Sequence, residues 1–405
     1  MASASPSPLL RLWPAAVPAL ALVVLAACWG RDLAGWGIAL VGLALVGAVV
    51  AAVHHAEVVA HRVGEPFGTL VLAVAVTLIE VGLIITLMVS GGSEADSLAR
   101  DTVFAAVMIT CNGVAGAALL VASLRYRTAV FNAEGAGALL ATVITLATLT
   151  LVLPRYTSSQ NGPEYSPPQL AYAAIASLLL YGVFVLVQTV RHREHFVPVR
   201  SYEPAPPPAD ARPSPVPATA TPHAPTTAPD TPAERCRDRY PGDYEPGDHG
   251  PRPTPRQAWT SLALLLLALI AVVGLAKLAS PALKSAVDSA GLPAAVVGVV
   301  IALLVLAPET ITAVRAAARD EVQTSLNLAY GSAVASIGLT IPVIALASIW
   351  IDGKLLLGLG ATHLVLLVLT AIVGTLTVVM GRATLLQAGV HLVVFASFVF
   401  LAVNP

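Results

Sequence analysis

Long apolar segments recur eleven times along the 405-residue chain, and they limit its fold more than any other feature. Each is close to the length of about 20 residues that carries a helix across the hydrocarbon core of a bilayer. In lipid, every backbone N–H and C=O must be paired within the protein, so only helices and closed barrels can span. Barrel strands alternate in polarity over about ten residues, whereas these segments are longer and uniformly apolar. The sequence therefore predicts an all-α polytopic protein embedded in a lipid bilayer.

The predicted spans are residues 13–30, 33–53, 66–90, 102–124, 135–153, 169–190, 259–279, 292–314, 322–350, 355–380 and 383–403. Charged residues make up 11% of the chain, against about 25% in a soluble domain. The net charge of -1 offers no electrostatic basis for binding nucleic acid. The first span resembles a signal peptide, but no small-residue cleavage site follows it, so we expect a retained helix.

One segment of the chain has an entirely different composition. Residues 191–257 hold 17 of the 31 prolines and cannot form a packed core, which predicts a disordered linker. The expected organisation is an N-terminal transmembrane helix (1–32), a first five-helix unit (33–190), this cytoplasmic linker (191–257) and a second five-helix unit (258–405).

The distribution of basic residues predicts the orientation. If the N-terminus is cytoplasmic, 16 of the 22 Lys and Arg residues lie on the cytoplasmic side. Nine of these 16 lie in the linker, and the short loops alone give 7 against 6, but linker residues near the spans also count toward the cytoplasmic excess. We therefore expect a multi-pass protein of the cell membrane, with a cytoplasmic N-terminus and linker and an external C-terminus.

Two acidic residues, Glu80 and Glu309, lie deep inside predicted spans, in VAVTLIEVGLIITL and IALLVLAPETITAV. A charge at the bilayer centre costs about 2.5–3.5 kcal/mol even on the lenient insertion scale, and such residues usually have a function. A protonated glutamate bonded to a neighbouring helix is the structural alternative. The matching contexts of the two residues favour a functional pair.

The two contexts are related by position in the chain. Without the first span, two groups of five spans remain, and each carries its glutamate in its second span. Because five is odd, the second group enters the membrane from the opposite side. One extra helix followed by two inverted five-helix repeats is therefore predicted, an arrangement typical of secondary transporters.

The chemistry of two buried carboxylates fits cation/proton exchange. Such carboxylates cannot both remain ionised and unpaired in a low dielectric, but two protons or one divalent cation can neutralise them. Oxygen ligands suit Ca²⁺, so we predict a transported cation bound by Glu80, Glu309, Asn112, Ser332 and Ser336. No cofactor is expected.

Two further features bear on this site. Pro308, directly before Glu309, is expected to break the eighth span and free backbone carbonyls for the cation. His54, Glu57 and His61 share one helical face at the end of the second span. They form either an entrance for ions or a solvated helix end.

The segments LIEVGLIITLM…LARDTVFAAVMITCNGVAGAALL and LAPETITAVRAA…VQTSLNLAYGSAVASIGLTIPVIA resemble the repeats of the cation/Ca²⁺ exchanger superfamily. Within it they are similar to the bacterial ChaA-like calcium/proton (sodium–potassium/proton) antiporters. The resemblance implies ion coordination at Glu80 and Glu309. Where vacuolar-type calcium exchangers have Gly-Asn-Ala before each glutamate, this chain has 77–79 (Thr-Leu-Ile) and 306–308 (Leu-Ala-Pro).

Three other functions can be compared with Ca²⁺/H⁺ exchange. Na⁺/H⁺ or K⁺/H⁺ exchange uses the same ligand chemistry and stays open. A membrane-embedded enzyme requires paired Asp, Ser/His or HExxH within spans, and the sequence contains none of these. A receptor or scaffold signalling through the linker leaves the two glutamates unexplained. The sequence leaves the oligomeric state open.

Overall fold

The computed structural model describes residues 8–31, 35–64, 67–91, 96–197, 253–351 and 353–405. Within these residues the chain forms eleven long helices and two short strands. The helices of the first half are α1 (Pro8–Cys28), α2 (Gly35–Val63), α3 (Phe67–Gly91), α4 (Leu98–Tyr126), α5 (Ala133–Arg155) and α6 (Pro167–Arg191). Those of the second half are α7 (Pro255–Ser289), α8 (Ala295–Ala317), α9 (Val322–Ala347), α10 (Ala361–Val379) and α11 (Leu385–Val403).

The helices confirm the predicted all-α polytopic membrane architecture. Each predicted span corresponds to one helix, and ten helices in the described chain are long and apolar enough to cross a membrane. The remaining helix, α1, has a shorter apolar part, Trp13–Cys28. The predicted linker, apart from its two ends, lies outside the described residues.

The connecting segments gather at two opposite faces. We call the linker face the one formed by residues 127–132, 192–196, 318–321 and 380–384. There β1 (Ala129–Val130) pairs antiparallel with β2 (Arg382–Ala383), and the Tyr126 hydroxyl donates to the Ala318 carbonyl at 3.0 Å. The opposite face contains residues 96–97, 156–166 and 348–360, where the Leu356 N–H donates to the Asp96 carbonyl at 3.1 Å. Successive helices of the bundle run in alternate directions between these faces.

Helix starts are encoded locally. α6, α7 and α11 each begin with a capping box. In a capping box, a hydroxyl residue and a glutamine three residues later each pair their side chain with the backbone of the other. These boxes are Ser166–Gln169, Thr254–Gln257 and Thr384–Gln387. In α6 and α7 a proline follows the cap, where its missing N–H costs nothing.

α4 is the central helix of the bundle, since 83% of its apolar segment is buried, against 17% for α6. Small residues allow a neighbouring helix to approach it closely. A Cβ at Gly116 would lie 3.0 Å from the Cβ of His391, and one at Gly113 would lie 3.3 Å from the Phe395 ring, both in α11. Such small-residue contacts are how helices pack in a membrane, where burial from water does not drive association.

The effect of one proline and the bounds of several spans were predicted wrongly. Pro308 does not break its span, because α8 is continuous from Ala295 to Ala317. Pro308 lacks the N–H that would donate to the carbonyl of residue 304, yet the helix continues through it, as helices packed in a membrane often do at a proline.

The tenth span begins at Ala361 rather than at residue 355. Residues 355–360 instead run extended across the opposite face, where the Gly358 N–H donates to the Pro163 carbonyl at 2.8 Å and the Leu359 N–H to the Leu151 carbonyl at 2.8 Å.

Candidate functional site

Glu80 in α3 is one of the few charged side chains buried within the bundle, with 4% of its surface exposed. Two hydroxyl groups of α9 donate to its carboxylate. Ser336 Oγ lies 2.7 Å from Oε1, and Thr340 Oγ1 lies 3.3 Å from Oε2. Both carboxylate oxygens are therefore engaged by the same facing helix.

Glu309 in α8 occupies the neighbouring position and is half-buried. The hydroxyl of Ser332, also in α9, donates to its Oε2. The partners of the two carboxylates, Ser332 and Ser336, are four residues apart on α9, so the two glutamates lie along the same stretch of this helix. The structure thus brings together the two glutamates that the sequence analysis selected from opposite halves of the chain.

α9 supplies the partners of both glutamates from one face. Ser332, Ser336 and Thr340 follow one another at intervals of four residues, and residues at this spacing lie one above the other on a helix. They form a hydroxyl ladder with steps of about 6 Å. Ser332 and Ser336 were predicted site residues, whereas Thr340 was missed, although its spacing from Ser336 was a visible signal.

The described partners of the two carboxylates are hydroxyl groups, which carry no charge. A hydroxyl stabilises a carboxylate by hydrogen bonding but does not balance its charge. Two acidic groups so near each other in a low dielectric require protons or a bound cation for neutrality. The arrangement can therefore hold either protons or a cation in the same place.

The fifth predicted site residue, Asn112, is fully buried and belongs to a different group of side chains. Its Nδ2 donates to Thr370 Oγ1 at 2.9 Å, and its Oδ1 lies 3.2 Å from His391 Nδ1. Thr377 Oγ1 in turn lies 3.1 Å from His391 Nε2. The structure therefore places Asn112 in a link from α4 to α10 and α11, and the described hydrogen bonds of its side chain involve neither glutamate.

Asn112 also lies in a π-helical turn, Ile109–Val114, inserted into α4. Such single π-turns are rare and frequently occur at functional sites. No residue in this stretch predicts the turn, since it contains no proline and Gly113 is compatible with an α-helix in a membrane.

Glu57 connects this site with the linker face. α2 continues to Val63, ten residues beyond its predicted end, so His54, Glu57 and His61 lie on a helix and not at its frayed terminus. Glu57 is exposed, and its helix packs against α8, which carries Glu309. This position favours the entrance interpretation over that of a merely solvated helix end.

Paired buried carboxylates between the helices of an all-α membrane protein define the class of secondary cation transporters. Comparison with known proteins identifies the family. The model of the family described as sodium/calcium exchanger protein matches residues 33–190 and 260–404. The chain belongs to this family, within the cation/Ca²⁺ exchanger superfamily, as its repeat segments predicted.

Two relatives match along most of their length. The protein named "Putative ionic transporter y4hA" of Sinorhizobium fredii (strain NBRC 101917 / NGR234) is 45% identical over 361 residues, which cover 89% of this chain and 87% of the relative. The sodium-potassium/proton antiporter ChaA of Escherichia coli (strain K12) is 32% identical over 384 residues, 94% and 93% of the two chains.

The fold is also similar to a solved structure, that of native YfkE. The two superpose with a TM-score of 0.66 over 98% of this chain and 99% of the other, at 16% sequence identity. At this identity the similarity establishes the shared fold and nothing about the transported ion.

Proposed function

We propose that this protein exchanges Ca²⁺ for H⁺ across the cell membrane by alternating access at Glu80 and Glu309. The observation that carries the proposal is the hydroxyl ladder of α9, which holds both glutamates beside each other in the bundle. One Ca²⁺ or two protons neutralise the pair, so each species displaces the other. Competition for one set of oxygen atoms is the physical basis of coupled exchange.

The type of ligand supports a divalent ion. The two carboxylates supply four oxygen atoms, and Ca²⁺ is bound in proteins by oxygen ligands in flexible geometry. The three hydroxyls extend over about 12 Å of α9, so one ion cannot contact all of them. Their common role is to hold the two carboxylates.

The packing supports the proposed inverted repeats. α2 packs against α7, the first helix of the other half, while α4 packs against α11 and α9 packs against α6. The proposed repeats match α2–α6 with α7–α11 in order. When each helix is replaced by its counterpart, the α2–α7 pair stays the same and the α4–α11 pair becomes the α9–α6 pair. This is the pattern that a two-fold axis in the membrane plane produces.

Na⁺/H⁺ or K⁺/H⁺ exchange is the second candidate, and the resemblance to the sodium-potassium/proton antiporter ChaA favours it. Carboxylate and hydroxyl oxygens bind monovalent ions as well. The charge of the transported ion distinguishes the two candidates. One Ca²⁺ neutralises both carboxylates, whereas one Na⁺ or K⁺ neutralises one of them and leaves the other to be neutralised by a proton.

The test is ion-driven proton movement in inside-out membrane vesicles, with Ca²⁺, Na⁺ and K⁺ supplied in turn. We expect Glu80→Gln and Glu309→Gln each to abolish exchange, because glutamine keeps the size but neither carries a proton nor supplies charge. Glu321→Gln, a matched change in an exposed glutamate of the linker face, is expected to retain exchange. Near-normal exchange by either intramembrane variant would remove that residue from the mechanism.

A further inference from the structure

The chain leaves α6 through a short 3₁₀ turn, Arg193–Phe196, on the linker face. This turn gathers three metal-ligating side chains. Glu194 Oε1 lies 3.4 Å from His192 Nδ1 and 3.7 Å from His195 Nε2, and one ligand atom from each residue lies within 4.8 Å of the other two. All three side chains are accessible from the surrounding water, with exposed fractions of 49%, 67% and 32% for His192, Glu194 and His195.

The spacing is close to that of a metal centre. Tetrahedral Zn²⁺ holds nitrogen and oxygen ligands at about 2.0–2.2 Å, which places neighbouring ligand atoms about 3.3–3.6 Å apart. The two separations that involve Glu194 are already near this range. The third separation, between the two histidines, is at most 4.8 Å, and the His192 side chain is 49% exposed.

A second carboxylate orients one of the histidines. Glu134 Oε2, at the start of α5, lies 3.2 Å from His195 Nδ1. Nε2 of the same ring then faces Glu194. A carboxylate on the far nitrogen of a ligating histidine is the usual outer partner in zinc sites, where it fixes the ring and its tautomer.

The turn is also tied to the transport helices. Phe196 is buried, and its carbonyl accepts a hydrogen bond of 2.6 Å from Asn327 Nδ2 of α9. Asn327 Oδ1 accepts from Gln323 Nε2, whose Oε1 accepts from the backbone N–H of Asn132, the cap of α5. The cluster is therefore fixed to α5 and α9, and α9 carries the hydroxyl ladder.

We infer that His192, Glu194 and His195 form a binding site for a transition-metal ion of the Zn²⁺ type, separate from the transport site, with Glu134 as its positioning residue. Two imidazoles and one carboxylate are a ligand set suited to Zn²⁺, with a water completing the shell. The same set disfavours Ca²⁺, which takes oxygen ligands. Because the turn is bonded to α9, an ion bound there restrains the helix that holds both transport glutamates.

The test is calorimetric titration of the purified full-length protein with Zn²⁺, in the presence of excess Ca²⁺. We expect one Zn²⁺ per chain that Ca²⁺ does not displace. His192→Ala combined with His195→Ala is expected to abolish this binding. Glu134→Gln is expected to weaken it by about 10- to 100-fold, as loss of an outer partner does.

The matched control is His223→Ala combined with His249→Ala, which removes the same number of histidines from residues 201–250. We expect this variant to bind Zn²⁺ as the wild type does, and the Glu80→Gln variant to do the same. Unchanged affinity in the His192/His195 variant would overturn the inference. Equal loss in the control, or displacement of Zn²⁺ by Ca²⁺, would also overturn it. Calorimetry measures binding directly, so failure of the proposed exchange activity leaves this test intact.

Discussion

Removing one hydroxyl from the ladder should weaken cation binding at Glu80 relative to proton binding. Ser336→Ala deletes the shorter of the two hydrogen bonds to its carboxylate. A hydrogen bond to a charged group contributes about 1.5–3 kcal/mol and one to a neutral group about 0.5–1.5 kcal/mol. The hydroxyl therefore favours the ionised, cation-binding form over the protonated form by about 1 kcal/mol. Its loss should weaken apparent cation affinity at fixed pH about fivefold.

The measurement is the cation concentration that gives half-maximal exchange in proteoliposomes, at one pH, for wild type and variant. Thr340→Val should have a smaller effect, because its hydroxyl lies 3.3 Å from the carboxylate. Ser177→Ala is the matched control, since this serine is buried in α6 and its hydroxyl has no hydrogen-bond partner in the described chain. An unchanged half-saturation concentration in the Ser336 variant would refute the assignment of the ladder to the cation site.

Three further outcomes are expected. Apparent Ca²⁺ affinity in proteoliposomes should fall as the pH is lowered, more steeply than Na⁺ affinity, because a divalent ion competes with up to two protons; a pH-independent affinity contradicts shared carboxylates. Deletion of residues 201–250 should leave exchange in vesicles intact, because their composition offers nothing to pack, and loss of exchange in a deletion that still inserts would reveal an unseen role. Cys236 should react with a membrane-impermeant maleimide in inside-out vesicles and not in intact cells, since Cys28 and Cys111 are buried; the reverse pattern would invert the proposed orientation, and Cys236→Ser supplies the background.

Glu80 and Glu309 could be selected from the sequence because an isolated charge in an apolar span is so costly that it is rarely present without a reason. The span count was accessible for the same reason, since apolar length is dictated by the bilayer and not by the tertiary fold. Ser332 and Ser336 followed from their position in the span after Glu309. In each case the signal lies within one segment of the chain.

The parts that could not be predicted depend on contacts between distant segments. Asn112 and His391 are 279 residues apart, and nothing in either span indicates that they meet. The effect of Pro308 was misjudged because one missing N–H removes a single helical hydrogen bond, and α8 continues through it, as helices packed in a membrane often do at a proline. The extended course of residues 355–360 depends on backbone partners at Leu151 and Pro163, which lie in the other half of the chain.

The two glutamates differ in depth, and this difference bears on how a cation enters. Glu309 lies eight residues before the end of α8 at the linker face, about 12 Å along the helix. Glu80 lies thirteen residues beyond the start of α3, about 20 Å from the same face.

The outer carboxylate, Glu309, is half-buried, whereas the inner one, Glu80, is buried. In the proposed exchange, a cation arriving from the linker face meets Glu309 before Glu80. The hydroxyls of α9 hold both carboxylates, so the entering ion stays among oxygen atoms until both carboxylates bind it.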